Sequence, residues 1–452
     1  MAISPARKIA YSILLRVETQ RAYASDLLHS RVDADVTARD AALTTELVLG
    51  VLRRQNLLDF FIERYTGKKF ARLDAEILIA LRLGIYQLRF LSRVPARAAV
   101  NESAEIVKRT SKKSAVALVN AVLRRAAEEK DRPAEELIPA GLPPVESLSI
   151  LFSHPAWLVE RWLRQFGETK TRALLAINNQ PPKQACAITD SIEREELLHS
   201  LKETGIEFAP GKLLRDAIIL NRGNLLGTRA FQEGKVAIQD EASQLIPSLL
   251  HVSPGNSVLD LCAAPGGKTI ALGRAAGRTA MIVASDLHEK RLGQMAERLK
   301  KASPVNVKLV ALDGTTSLPF GRKFDRILVD APCSGTGTLA RNPEIRWRLT
   351  PEGMAELRRQ QVALLSSALE CLSPDGELVY STCSLEAEEN DEVVREILRA
   401  HPDFTMSPIE IPDNALASGV AVDDLVGADG AFRTFPPHAH TDGFFAVRLR
   451  RR

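Results

Sequence analysis

Two cysteines in this chain stand where thiol chemistry could be done. Cys333 lies in DAPCSGTG (330–337) and Cys383 lies 50 residues further on in YSTCS (380–384). Each follows an apolar run, 326–329 and 377–380, that reads as a buried strand. Upstream, DLCAAPGGKT (260–269) is again a strand followed by a tight Gly-rich turn. Open α/β folds bind ligands and do chemistry where the carboxyl ends of their strands meet. Two thiols delivered to that edge, beside a ligand-binding turn, point to covalent chemistry, because an ordinary thiol is already partly thiolate near neutral pH.

The elements that must position these residues follow from the pattern. From Gln239 onward strand, turn and helix alternate, with strands ending at Cys262, Asp286, Asp313, Asp330 and Thr382. That alternation predicts a doubly wound parallel sheet. GFFAVRL (443–449) reads as one more strand. Before it, a small α+β segment spans 184–238, with strands at 185–189 and 217–221 and a helix at 193–204. Two helices, 156–166 and 168–178, close at Pro181 and Pro182. Residues 131–155 hold Pro133, Pro139, Gly141, Pro143, Pro144 and Pro155, which marks a seam. The first 130 residues look all-helical. Ser4 can cap and Pro5 can open a first helix, and further patterns cover 38–65, 73–91, 98–109 and 115–129. The organisation predicted is therefore 1–130 helical, 131–183 linker and helices, 184–238 small α+β, and 239–452 catalytic α/β.

Composition narrows the class. The 452 residues are 45% hydrophobic and 26% charged, which is ordinary for a globular protein. No apolar run reaches the roughly 20 residues a membrane span needs, and the N-terminus reads as an amphipathic helix without a signal-cleavage site. The five cysteines, at 186, 262, 333, 371 and 383, form no CxxC pair and no metal spacing, which predicts a reduced, cytoplasmic, metal-free protein. Cys186 and Cys371 are expected to be buried packing residues. Charge is uneven: residues 1–130 hold 23 Lys+Arg against 14 Asp+Glu, and the remainder 37 against 42. Lys108, Arg109, Lys112, Lys113, Arg124 and Arg125 cluster late in the basic part. A basic helical module beside an acidic remainder suggests a polyanionic partner.

GGKT at 266–269 invites a phosphate-loop reading, but Cys262 stands where that motif requires its first glycine. The dinucleotide pattern GxGxxG is also absent. What remains is a turn of Cys262, Ala263, Ala264, Pro265, Gly266, Gly267 and Lys268 opening a helix. Its glycines let backbone approach a ligand, and the helix N-terminus favours a carboxylate. Asp286, ending the next strand, suits ribose hydroxyls, and Asp313 suits an adenine amino group. Carboxylate, ribose and adenine together describe S-adenosyl-L-methionine.

These residues carry a resemblance. DLCAAPGGKT, DAPCSGTG and STCS, with IQDEAS (238–243) and DGFFAV (442–447), resemble the motifs of the bacterial small-subunit ribosomal RNA cytosine-C5 methyltransferases of the Nol1/Nop2/Sun family. RVPARAAVNESAEIVKR (93–109) and VNAVLRR (119–125) are similar to the NusB-like RNA-binding domain found in such enzymes. The resemblance implies an all-α NusB-like domain, a small α+β segment and a Rossmann-like S-adenosylmethionine-dependent methyltransferase domain. It implies cofactor contacts at 262–268, Asp286, Asp313 and Asp330, and a monomer acting on small-subunit ribosomal RNA without membrane or metal. One departure is ACAITD (185–190), where the family shows an Arg-Val-Asn-like strand.

The expected chemistry explains why two thiols and an acid are needed. Carbon 5 of cytosine is a poor nucleophile until a thiolate adds at carbon 6. From the residues alone either cysteine could attack. The resemblance implies that Cys383 is the nucleophile, Cys333 assists product release, and Asp330 binds the base edge, with Lys268 orienting Asp330 or the cofactor. Cys262 is expected to line the cofactor loop without doing chemistry. Other readings are the same chemistry on transfer RNA, or a non-catalytic RNA-binding assembly factor that keeps the fold.

Overall fold

The computed structural model describes residues 3–31, 36–189, 194–277, 280–302, 306–412, 414–439 and 441–452. Packing divides the chain into two units, 1–181 with 339–348, and 182–338 with 349–452. The first unit is all-helical: α1 (Pro5–Gln20), α2 (Ala24–Arg31), α3 (Ala38–Arg53), α4 (Gln55–Thr66), α5 (Ala75–Phe90), α6 (Ala96–Lys108), α7 (Val116–Glu128), α8 (Ala134–Leu137), α9 (Pro144–Leu151) and α10 (Ala156–Ile177). Pro5 opens α1 as expected, since its missing N–H has no partner there anyway. The Ser4 hydroxyl does not cap the helix; it accepts a hydrogen bond from Arg7 at 2.9 Å. The pattern over 38–65 is two helices, not one, because the backbone at Arg54 leaves the helical region. Gly167, at φ 74°, interrupts α10 where the sequence puts a boundary between two helices.

α5 is buried on nearly every face from Ile77 to Leu88, as a helix at the centre of a bundle must be. Its one central charge, Arg82, is matched by both Asp59 oxygens, at 2.7 and 2.8 Å, and by Glu18 at 2.8 Å. Much of the late basic cluster is neutralised locally. Lys108 and Arg109 pair with Glu105, Lys112 pairs with Asp74, and Arg125 donates to the Tyr65 carbonyl.

The segment 339–348 also belongs to this unit, although it follows the Cys333 loop directly in sequence. Arg346 is fully buried and donates to the carbonyls of Ser153, Asn178 and Leu339 and to the Asn179 side chain. Burial, with Arg53 and Arg54 nearby, pushes its guanidinium down to about 9. Glu344 accepts from the Ala24 N–H at 2.9 Å, and Arg53 donates to the Ala340 carbonyl at 2.8 Å.

The second unit begins with β1 (Gln184–Ile188), α11 (Arg194–Glu203), β2 (Glu207–Pro210), β3 (Ile218–Arg222), α12 (Arg229–Gln232) and β4 (Val236–Ile238). These four strands form one antiparallel sheet in the order β2-β3-β1-β4. β2 and β4 escape a sequence reading because each is short and half-exposed. The departure at 185–190 forms β1 up to Ile188, while Asp190 lies outside the described residues.

The larger sheet follows: α13 (Glu241–Leu245), β5 (Ser257–Asp260), α14 (Gly267–Ala276), β6 (Met281–Asp286), α15 (Glu289–Lys301), β7 (Val307–Ala311), β8 (Phe324–Asp330), α16 (Pro351–Glu370), β9 (Leu372–Thr382), α17 (Asp391–Ala400), β10 (Phe404–Ser407), β11 (Phe432–Arg433) and β12 (Phe445–Arg451). Its order is β10-β12-β9-β8-β5-β6-β7. The run from β9 to β7 is parallel, as expected. β12 enters antiparallel beside β9 and carries β10 and β11, so the sheet is mixed and Rossmann-like. Helices cover both faces: Leu272 and Ala276 of α14 pack in one core, and Leu365, Ala368 and Ile397 of α16 and α17 in the other. That double cover is why β5 and β8 read as continuous apolar runs. Two strand ends differ from expectation. β5 stops at Asp260, so Cys262 lies in the turn, and β7 stops at Ala311, so Asp313 lies beyond its strand.

Among the described residues no helix is long and apolar enough to cross a membrane, and no cluster of three or more His, Cys, Asp or Glu could hold a metal.

Candidate active site

β8 and β9 are neighbours in register, with Asp330 opposite Ser381. Three residues past Asp330 is Cys333, and two past Ser381 is Cys383. Strand pairing thus brings together two residues 50 apart in sequence, and their Sγ atoms lie 3.4 Å from each other. The two loops are stitched by the Gly337 N–H donating to the Cys383 carbonyl at 3.0 Å and the Leu385 N–H donating to Thr336 Oγ1 at 2.9 Å. Gly337 must be glycine because a Cβ there would collide with the Gly443 backbone, whose N–H donates to the Gly337 carbonyl at 2.8 Å. DGFFAV therefore serves the site by holding the Cys333 loop.

Asp330 is fixed by two partners. Ser381 Oγ donates to Oδ1 at 2.7 Å, and Lys268 Nζ donates to Oδ2 at 2.6 Å. Burial alone would lower the Lys268 ammonium's pKa, but Asp330 overrides it and holds the group above its ordinary value, with Cys383 adding a smaller effect. Lys268 also lies 5.3 Å from the Phe444 ring centroid. A cation is thereby kept charged beside Asp330 and within electrostatic reach of Cys383. The Cys333 thiol is pushed well up, first by its hydrogen bond to Cys383, then by burial and by Glu389. Cys262 is pushed up too, by burial and by the carboxylates of Asp260, Asp330 and Asp286, and is held as an inert thiol. Cys186 and Cys371 are buried in separate cores, as packing residues are.

The Gly-rich turn begins α14 with Gly266 at φ 100°, a conformation that suits glycine. Asp260 below it is fully buried and pushed up to about 7 by desolvation, against the hydrogen bond it accepts from Thr269 at 2.6 Å. Its Oδ1 is buried with no hydrogen-bond partner. Asp286 ends β6, where its carboxylate accepts from the His288 N–H at 3.0 Å and pairs with Arg291 at 3.0 Å. Asp313 is exposed and accepts from the Thr315 N–H and hydroxyl, which hold its carboxyl below the usual range. Cys262, Lys268, Asp286 and Asp330 thus gather at the carboxyl edge of β5, β6 and β8, with Asp313 in the turn after β7. Sequence reading missed Ser381, Phe444 and Glu389; the first two were inside quoted motifs, but their partners depend on strand order.

Three family models match the chain. One for the 16S rRNA methyltransferase RsmB/F matches 247–450, one for the NusB family matches 4–128, and one for the ferredoxin-like domain of RsmF/B-like methyltransferases matches 154–225. The chain is 33% identical to the probable ribosomal RNA small subunit methyltransferase B of Bacillus subtilis, over 99% of this chain and 98% of that one. It is 37% identical to the ribosomal RNA small subunit methyltransferase B of Pseudomonas putida, over 88% and 89%. The chain belongs to the RsmB/F methyltransferase family. Its fold agrees: a methyltransferase homologue from Pyrococcus horikoshii superimposes with a TM-score of 0.58 at 27% identity, covering 69% of this chain and all of that one.

Like other RsmB/F members, the chain is an S-adenosyl-L-methionine-dependent ribosomal RNA methyltransferase. Its residues fit that cofactor. The turn offers close backbone approach and the N-terminus of α14, Asp286 offers a carboxylate, and the orphaned Asp260 Oδ1 lies just below the turn.

Proposed function

We propose that this RsmB/F protein methylates carbon 5 of a cytosine in small-subunit ribosomal RNA through a covalent Cys383–cytosine intermediate. The observation that carries this is the 3.4 Å pairing of two cysteine sulfurs beside the Lys268–Asp330 ion pair. Residues 262–268, Asp286, Asp313 and Asp330 hold the cofactor, which supplies an electrophilic methyl group. Cys383, next to the Lys268 cation, adds to carbon 6 and makes carbon 5 nucleophilic. Asp330 accepts a hydrogen bond from the amino edge of the base and holds the ring in place for the attack. In the elimination that follows, a base takes the proton from carbon 5, its electrons reform the ring double bond, and the carbon 6–sulfur bond breaks to release Cys383 as thiolate, with Cys333 beside the departing sulfur. A target base in a loop or single strand costs least to unstack, and the basic helical domain supplies phosphate contacts to hold such RNA.

The reading is tested by bisulfite sequencing of ribosomal RNA from cells with and without the gene. One small-subunit cytosine should lose its protection when the gene is removed, and purified protein should restore it. Methylation of a different atom, or of transfer RNA alone, would overturn the assignment.

Asp286→Ala tests the cofactor side. Losing a charge-assisted hydrogen bond to ribose should weaken S-adenosylmethionine binding roughly 10- to 100-fold, about 1.5–3 kcal/mol. Titration calorimetry showing unchanged affinity would remove Asp286 from the cofactor contacts.

A further inference from the structure

Behind the two cysteines lies a carboxylate that neither the sequence pattern nor the proposed chemistry uses. Glu389, just before α17, is 0% exposed. Its Oε1 accepts from the Ser334 N–H at 2.8 Å and from Gln361 Nε2 at 3.0 Å. Its Oε2 accepts from the hydroxyls of both Ser334 and Ser384. Ser334 follows Cys333 and Ser384 follows Cys383, so one carboxylate oxygen ties the residues next to both sulfurs. The serine hydroxyls are themselves 3.1 Å apart. Glu389 is held in turn from behind, where Tyr380 Oη donates to its carbonyl at 2.6 Å and its N–H donates to the Glu386 carbonyl at 3.1 Å.

A buried charge is costly, and simple packing would be served as well by a neutral side chain. A carboxylate does something an amide cannot: both its oxygens are acceptors only, and all four surrounding donors point inward. Reversing one oxygen to an NH2 group breaks that arrangement.

We propose that Glu389 is a positioning residue that sets the separation and orientation of the Cys333 and Cys383 thiols by bridging Ser334 and Ser384. It touches no reacting atom and acts through the two loops. The proposal rests on the reading that these cysteines carry the reaction, but the clamp itself can be measured without RNA.

The test uses the full-length protein with Glu389→Gln and Glu389→Asp. Glu389→Gln should lower kcat about 100-fold, the cost of a misplacement on the order of 1 Å, with the RNA KM and cofactor affinity within about twofold of the parent. Adduct formation measured in a Cys333→Ala background should slow by the same factor. Glu389→Asp keeps the charge but is one methylene shorter, so it should not restore kcat. Separately, equilibration with glutathione and glutathione disulfide, which takes up the electrons and protons of the two thiols, reports the effective concentration of Cys333 and Cys383 for each other. That value should fall at least about tenfold in Glu389→Gln. If that variant does not fold, Ser384→Ala removes one bridging hydroxyl and should shift both readouts in the same direction. Unchanged kcat, full rescue by Glu389→Asp, or an unchanged thiol equilibrium overturns the proposal. If the Cys333→Ala background forms no RNA adduct while the thiol equilibrium still shifts in Glu389→Gln, the clamp stands and the covalent reading falls.

Discussion

Replacing Cys383 with alanine should abolish both methyl transfer and any covalent enzyme–RNA species, whereas replacing Cys333 with alanine should accumulate a methylated adduct that survives denaturing electrophoresis. This pair of outcomes is expected because adduct formation needs only addition, while turnover needs elimination as well. Cys383 lies within electrostatic reach of the Lys268 ammonium. Cys333 is held as a thiol by its hydrogen bond to Cys383. Removing it leaves the attacker in place and takes away the residue proposed to assist elimination, the step in which carbon 5 loses its proton and the sulfur leaves. Loss of turnover should reach at least about 10³-fold in either variant, in line with the removal of a covalent nucleophile. Both variants must retain cofactor affinity, which separates chemical failure from misfolding. The opposite pattern, with an adduct in Cys383→Ala and none in Cys333→Ala, assigns the attack to Cys333. If neither change affects methylation, thiol catalysis is excluded here.

Asp330→Asn should lower kcat by roughly 10²- to 10³-fold, the range seen when a preorganised electrostatic group at a reacting centre is removed. Asparagine keeps the size of the side chain and an oxygen for Ser381 Oγ, but it gives up the charge that Lys268 meets at 2.6 Å. The ammonium then loses the partner that outweighs its desolvation. Addition should fail before methyl transfer, so the Cys333→Ala background should no longer accumulate adduct when Asp330→Asn is added. Single-turnover kinetics with saturating cofactor makes the measurement. Activity that returns fully at high cofactor concentration would mean that Asp330 serves the cofactor and not the base.

Much of this site was legible in the sequence because its parts sit in local patterns. An apolar run followed by Asp-Ala-Pro-Cys or Ser-Thr-Cys identifies a buried strand end with polar residues just beyond it, and β8 and β9 end where those runs imply. The Gly-rich turn was equally local, since Gly266 takes the positive φ that its residue type permits. What was not legible depends on order among strands. Nothing in 372–382 says that β9 lies beside β8, and the partnerships of Asp330 with Ser381 and of Cys333 with Cys383 follow only from that adjacency. β12 reads as a strand, but its antiparallel entry is set by the return of the chain beyond α17 and carries no residue signal. The Arg54 break between α3 and α4 has neither glycine nor proline to announce it. The alternation of strand and turn puts Asp313 at a strand end, whereas the strand stops at Ala311 and Asp313 is exposed in the turn beyond it. The basic cluster reads in the sequence as a feature for a polyanionic partner, and the carboxylates of Glu105 and Asp74 pair with part of it.

The excursion of residues 339–348 limits how this chain can be divided. Its N-terminal helices are not a detachable bead on a linker, because ten residues encoded in the middle of the catalytic half complete their interior. Cutting the gene between Pro181 and Pro182 would strand Arg346, a cation with its surroundings built by Ser153, Asn178 and Asn179, in a fragment that lacks all three. Exchange of the helical part for another RNA-binding domain is therefore a two-site graft, and natural or engineered recombination at one crossover would deliver a damaged loop beside the methyl-transfer residues.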